Sequence, residues 1–246
     1  MPILGAVLFA IDIAMAFHAI KTGRFMPWFY VIILLPGLGA FAYFIMELMP
    51  EWLGSYQGQK ARARVNKALD PEKAYRALKT EVDIANTISN REALARECMA
   101  LGRHDEARAQ YDTILTMHMG DKPEYMVGRA RAEFGLGRFA DVRATLDELR
   151  RRWPDWQSGD GHLIYARALE EDGRVAEAVD EYQALSDYYA GAEPRVRLGL
   201  ALRKMGREAE ARTVLADVVR QMSRAPKFAR KTQAEWISMA EAALRA

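Results

Sequence analysis

The sequence predicts an all-α protein: a two-helix transmembrane hairpin, then an α-solenoid of about four helix–turn–helix units, then a C-terminal capping helix. Three observations carry this. Residues 1–50 hold only four formal charges, Asp12, Lys21, Arg24 and Glu47. A Gly-Arg pair returns at Gly102, Gly137, Gly173 and Gly206, at intervals of 35, 36 and 33 residues. Columns of small and large apolar residues keep step with those glycines. The boundaries that follow are 1–50 for the hairpin, 51–87 for a basic helical linker, 88–222 for the array and 223–246 for the cap.

The totals agree with a folded helical chain. Of 246 residues, 50% are hydrophobic and 28% charged, a balance unlike that of disordered chains. The net charge of +2 supplies no global field for nucleic acid. One cysteine, Cys98, excludes an intrachain disulfide.

Each apolar run of the first element is close to the length a bilayer demands, about 20 residues for a helix. Residues 1–20 are apolar apart from Asp12 and His18, and residues 25–46 are an uncharged run of 22. "KTGR" forms the turn between them, and Trp28, Tyr30 and Trp52 are expected near the interfaces. Ala6, Ala10 and Ala14 give the first helix a smooth face for close packing. Pro36 is expected to kink the second. Asp12 is a membrane polar residue with two readings, a proton or ion relay, or a neutral acid that donates to a neighbouring backbone carbonyl or contacts a partner helix. The stretch "WFYVIILLPGLGAFAYF" resembles the N-terminal membrane segment of cardiolipin synthases of the phospholipase D type. That family's His-x-Lys-x4-Asp motif is absent, so the resemblance implies an anchor and no lipid chemistry.

Basic residues of the linker set the expected orientation. Lys60, Arg62, Arg64 and Lys67, followed by Lys73, Arg76 and Lys79, outnumber Lys21 and Arg24 in the turn. By the positive-inside tendency the array faces the cytoplasm of a bacterial-type inner membrane. Lipids then contact residues 1–50 and the basic linker.

The array is read from its columns. Seven residues before each glycine stand Ala95, Ala130, Ala166 and Gly199; five after stand Ala107, Val142, Ala178 and Ala211. Nine after stand Tyr111, Leu146, Tyr182 and Leu215, and twelve after stand Ile114, Leu149, Leu185 and Val218. Small residues mark where paired helices cross, large ones fill the gap to the next unit, and the glycine makes the turn. Pro123, Pro154 and Pro194 fall between units. Stacking supplies the core that no single unit can bury. At the end, residues 226–246 carry Phe228, Trp236, Ile237, Met239, Ala240 and Leu244 on an otherwise polar helix, as a cap requires.

The pattern resembles the tetratricopeptide repeat over residues 88–222. The early tryptophan of that family is replaced by Arg91, Met126, His162 and Arg195, and the second unit has Val142 and Glu133 where small and apolar residues are commoner. The resemblance implies a groove lined by the first helix of each unit, faced by Arg96, Arg131 and Arg167, with Met99 and Phe134 as apolar contacts beside them. In-phase arginines suit carboxylates or phosphates. The alternative is that each pairs with a nearby acid such as Glu92, Glu124, Glu133 or Glu170.

Catalytic and metal-binding motifs are missing: no Walker loop, no HExxH, no metal-spaced Cys or His cluster, no Gly-x-Ser-x-Gly. No cofactor is implied. Cys98 reads as a small core residue. The expected function is a membrane-anchored scaffold that binds a protein or peptide, one with an acidic segment if the arginines engage it. The rivals are an accessory subunit of a membrane complex that binds through the hairpin, and an enzyme of unrecognised chemistry.

Overall fold

The structure, a computed structural model, describes residues 2–55, 59–60 and 70–245, with side chains except at residues 2–4, 25 and 53. It divides into two compact units, Met1–Lys73 and Ala74–Ala246. The linker residues Arg62, Arg64 and Lys67 lie outside the described residues.

In the first unit, α1 (Pro2–Lys21) packs on α2 (Phe25–Leu34) and α3 (Leu38–Tyr43). A π-helical turn (Phe44–Leu48) and α4 (Met49–Gly54) follow. Their core is Ala19, Ile32 and Tyr43, with Met15, Ala16, Trp28 and Leu48 against it. Ala6, Ala10 and Ala14 are exposed, so the packing face of α1 is Asp12–Met15–Ala16–Ala19 and not the predicted alanine stripe. At Gly39 the backbone of α3 approaches α2 so closely that a Cβ would lie 2.3 Å from the Val31 carbonyl oxygen. Only glycine fits there.

The expected 22-residue span is not one helix. It breaks at Pro36–Gly37, where Gly37 has φ +79°, into α2, of 10 residues, and α3, which runs on through the π-helical turn into α4. At 1.5 Å per residue, α2 rises about 15 Å, half of the hydrocarbon core. Among the described residues no helix is long and apolar enough to cross a membrane. This overturns the assignment to an integral inner-membrane protein with a cytoplasm-facing array, and leaves lipids without support as partners. Many apolar side chains of this unit nonetheless face outward, among them Phe9, Phe17, Leu34, Leu38 and Phe41.

In the second unit, α5 (Lys73–Ile84) precedes four helical hairpins. They are α6 (Ile88–Ala100) with α7 (His104–Thr116), α8 (Pro123–Gly135) with α9 (Phe139–Arg152), α10 (Gly159–Glu171) with α11 (Val175–Ser186), and α12 (Glu193–Lys204) with α13 (Glu208–Arg224). Pro123 and Pro194 open helices in the first turn, where a missing N–H costs nothing. All sixteen column residues named above are buried. Cys98 joins them, packed with Tyr75, Leu94 and Ala107 beneath α5.

The Gly-Arg pair has a clear physical role. Each glycine takes a left-handed conformation, φ +70° to +78°. The N–H of each following arginine reaches back to the carbonyl five residues earlier, on Cys98, Glu133, Leu169 and Leu202, at 2.8–3.0 Å. This is the Schellman closure of a helix C-terminus. The arginine is at once the N-cap of the next helix, and Arg103, Arg174 and Arg207 each bind the acid three residues on, Glu106, Glu177 and Glu210. One dipeptide thus ends one helix, starts the next and supplies a cation to its acidic first turn.

The cap differs from the single helix expected. It is split into α14 (Lys227–Thr232) and α15 (Ala234–Arg245) at Gln233, whose side chain accepts the Ala192 N–H at 3.1 Å. Trp236, Ala240, Ala243 and Leu244 pack against Leu215 and Val218 of α13, while Phe228 is exposed.

The register predicts a stability contrast. Ala178, fully buried between α10 and α11, should cost about 1–3 kcal/mol when enlarged to leucine. Its exposed neighbour Glu177, changed to Gln, should cost under about 0.5 kcal/mol. Urea midpoints of the two variants measure the difference; equal shifts would contradict the register.

Candidate peptide-binding groove

The first helices of successive units, α8, α10 and α12, carry a line of charged and aromatic residues. Arg131 on α8 faces Asp160 on α10 at 3.6 Å. Arg167 on α10 faces Glu193 on α12 at 3.9 Å. These acids stand thirteen residues before their own unit's glycine, so each arginine of one unit meets the acid column of the next. Arg96 departs from this and hydrogen-bonds Glu92 on its own helix.

Arg167 is the most constrained of the three. Its guanidinium lies over the Phe134 ring, 4.5 Å from the centroid. Its Nε is buried with no hydrogen-bond partner. Burial and the nearby Arg197 guanidinium hold Arg167 below the ordinary arginine range, against Glu193. Phe134 itself packs edge-on against Phe139, with ring centroids 5.4 Å apart.

Arg197 was not among the predicted groove residues. Its Nε donates to Glu193 at 2.8 Å, and it lies over Trp236 of the cap at 5.1 Å. Glu170, named above only as a possible arginine partner, is mostly buried. It accepts from Lys204 at 2.6 Å and Tyr182 at 2.8 Å, with Arg197 at 3.6 Å. Burial pushes its carboxyl up, but those bonds and charges outweigh it and hold Glu170 below the usual range.

The remaining predicted residues are dispersed. Met99 is half-buried against the core of the first unit. Asp12, in the N-terminal unit, is buried, and both its carboxylate oxygens accept the Gly37 N–H at 3.0 Å. It caps the break before α3, so its backbone bond is accepted from an N–H and not donated to a carbonyl. Glu133 is fully buried and accepts from Arg129 at 2.9 Å, Arg108 at 3.3 Å and Thr145 at 2.8 Å. A recurring acid on the first turn, Glu124, Asp160 and Glu193, was the sequence signal for the cross-unit pairs. Nothing comparable flagged Trp236, which reaches Arg197 from outside the repeats.

Two family models, each described as tetratricopeptide repeat, match the chain, one over residues 92–155 and 128–193 and the other over 195–221. The helical hairpins are tetratricopeptide repeats. A crystal structure of a thermophilic tetratricopeptide-repeat protein from Thermus thermophilus is similar in fold. The similarity has a TM-score of 0.54 at 18% identity and covers 74% of this chain and 97% of that one. No curated protein matches the chain. These matches do not carry the resemblance of residues 28–44 to cardiolipin synthases. Tetratricopeptide repeats serve as protein-interaction scaffolds, and the array is of that kind.

Proposed function

We propose that the tetratricopeptide array binds a peptide with an acidic segment along α6, α8 and α10, through Arg96, Arg131 and Arg167, with Met99 and Phe134 beside them. The observation that carries this reading is Arg167. A guanidinium with a buried, unbonded Nε, stacked on an aromatic ring and beside a second cation, gains more from an incoming anion than an exposed arginine does. The contacts of Arg131 to Asp160 and of Arg167 to Glu193, at 3.6 and 3.9 Å, are longer than charged hydrogen bonds, so an incoming carboxylate can replace them while Glu193 stays on Arg197. A peptide array probed with the full chain tests it. Acidic sequences should be retained in low salt and lost as salt rises. Equal retention of their Lys- or Arg-substituted counterparts would refute the reading.

The exposed apolar side chains of the N-terminal unit favour a second reading, an assembly subunit that binds chiefly through residues 1–54. Capture of the partner by residues 74–246 alone, as well as by the full chain, supports the groove; capture by the full chain only supports the alternative.

A further inference from the structure

A cavity that none of the groove arginines lines lies where α8, α9, the loop after α9 and α10 meet. It has a volume of about 590 Å³. Drug-sized ligands occupy pockets of about 300–1,000 Å³ with apolar walls and a few polar groups. Val127, Leu146 and Leu149 supply the apolar wall, all of them also core residues of the second unit. Trp156, Tyr165 and Tyr188 add three ring systems.

The charge of the lining is one-sided. It contains the Arg150 guanidinium and no carboxylate. Arg150 is held in place by stacking over Tyr165, 4.2 Å from the ring centroid, and by one long contact of 3.5 Å to Glu181 outside the lining. Glu181 is engaged by His162, whose ring stacks on Tyr188 with centroids 5.9 Å apart. The carboxylate that Arg150 meets is therefore already occupied, and it uses few of the guanidinium donors. A planar fork with spare donors matches a carboxylate bidentately.

From this arrangement we infer that the cavity is a binding site for a small aromatic carboxylate, its ring between the aromatic side chains and its charge on Arg150. The site is independent of the groove and does not rest on the peptide-binding reading.

Isothermal titration of the full chain with indole-3-acetate tests this, with tryptamine as the same ring bearing the opposite charge. Saturable binding of indole-3-acetate is expected, with tryptamine at least about tenfold weaker. Arg150→Gln should weaken indole-3-acetate by about tenfold or more, and Tyr188→Ala, at an exposed ring, should weaken both probes. Arg152→Gln, which alters a cation that pairs with Asp121 outside the lining, should change nothing. The triple groove variant R96A/R131A/R167A should bind indole-3-acetate as the parent does. Far-UV circular dichroism verifies that each variant is folded. Absence of saturable binding by the folded parent, equal binding of tryptamine, or an unchanged affinity in R150Q would each overturn the assignment.

Discussion

Glu133→Ala should lower the stability of the full chain by about 3 kcal/mol, the largest loss expected from any single substitution described. Removing one partner of a buried ion pair costs about 3–5 kcal/mol. Two features set this case at the lower end. Arg108 and Arg129 are themselves partly exposed, and Asp112 stays within 3.9 and 3.4 Å of them. Thr145, by contrast, is buried and loses its acceptor. An unpaired buried hydroxyl adds about 1–3 kcal/mol within that total. The same position holds Cys98, Leu169 and Leu202 in the other units, so Glu133→Leu with Thr145→Val should recover most of the loss by converting the second unit to the apolar pattern. Urea unfolding followed by circular dichroism measures both. A loss under about 0.5 kcal/mol for the alanine variant would show that the network does not stabilise the array.

The second large effect is on binding. The triple variant R96A/R131A/R167A should weaken an acidic peptide by at least about 100-fold, or about 2.7 kcal/mol. Charged hydrogen bonds contribute about 1.5–3 kcal/mol each, but the three arginines are not equivalent. Arg96 is the most exposed and already bonded to Glu92, and Arg131 is also well solvated. Solvent weakens both. Arg167→Ala alone should therefore account for most of the loss, with Arg96→Ala the least damaging. Equal contributions, or an affinity that survives all three changes, would remove this line of arginines from recognition. Helicity should be unchanged throughout, since none of the three closes a turn.

The repeat was legible because its demands are steric and periodic. A crossing that tolerates only a small side chain leaves the same mark in each unit, and Ala95, Ala130, Ala166 and Gly199 are all buried as that column requires. The site was legible only in part. Arginines six residues before the first three glycines stood out, but the partners of Arg131 and Arg167 lie on the next unit's helix, and a single-column reading does not join Arg131 to Asp160. Trp236 escaped because it belongs to no repeat. The N-terminal unit misled for a different reason. Hydropathy registers composition along the chain, whereas the break at Pro36–Gly37 is a backbone event, completed by Asp12 from another helix.

Cys98 turns the core of the first unit into a clock. Its thiol has no exposed surface, and burial pushes its pKa up to about 11, so almost none of it is thiolate at neutral pH. The thiolate is the nucleophile, and a reagent must wait for the segment around Cys98 to open. Because the chain has one cysteine, every labelled molecule reports the same event. When reclosing outruns the chemistry, the labelling rate relative to that of a free thiol gives the opening free energy of this end of the array. The packing that made the cysteine chemically inert thereby makes it a site-resolved gauge of how far the first repeat breathes while its neighbours stay folded.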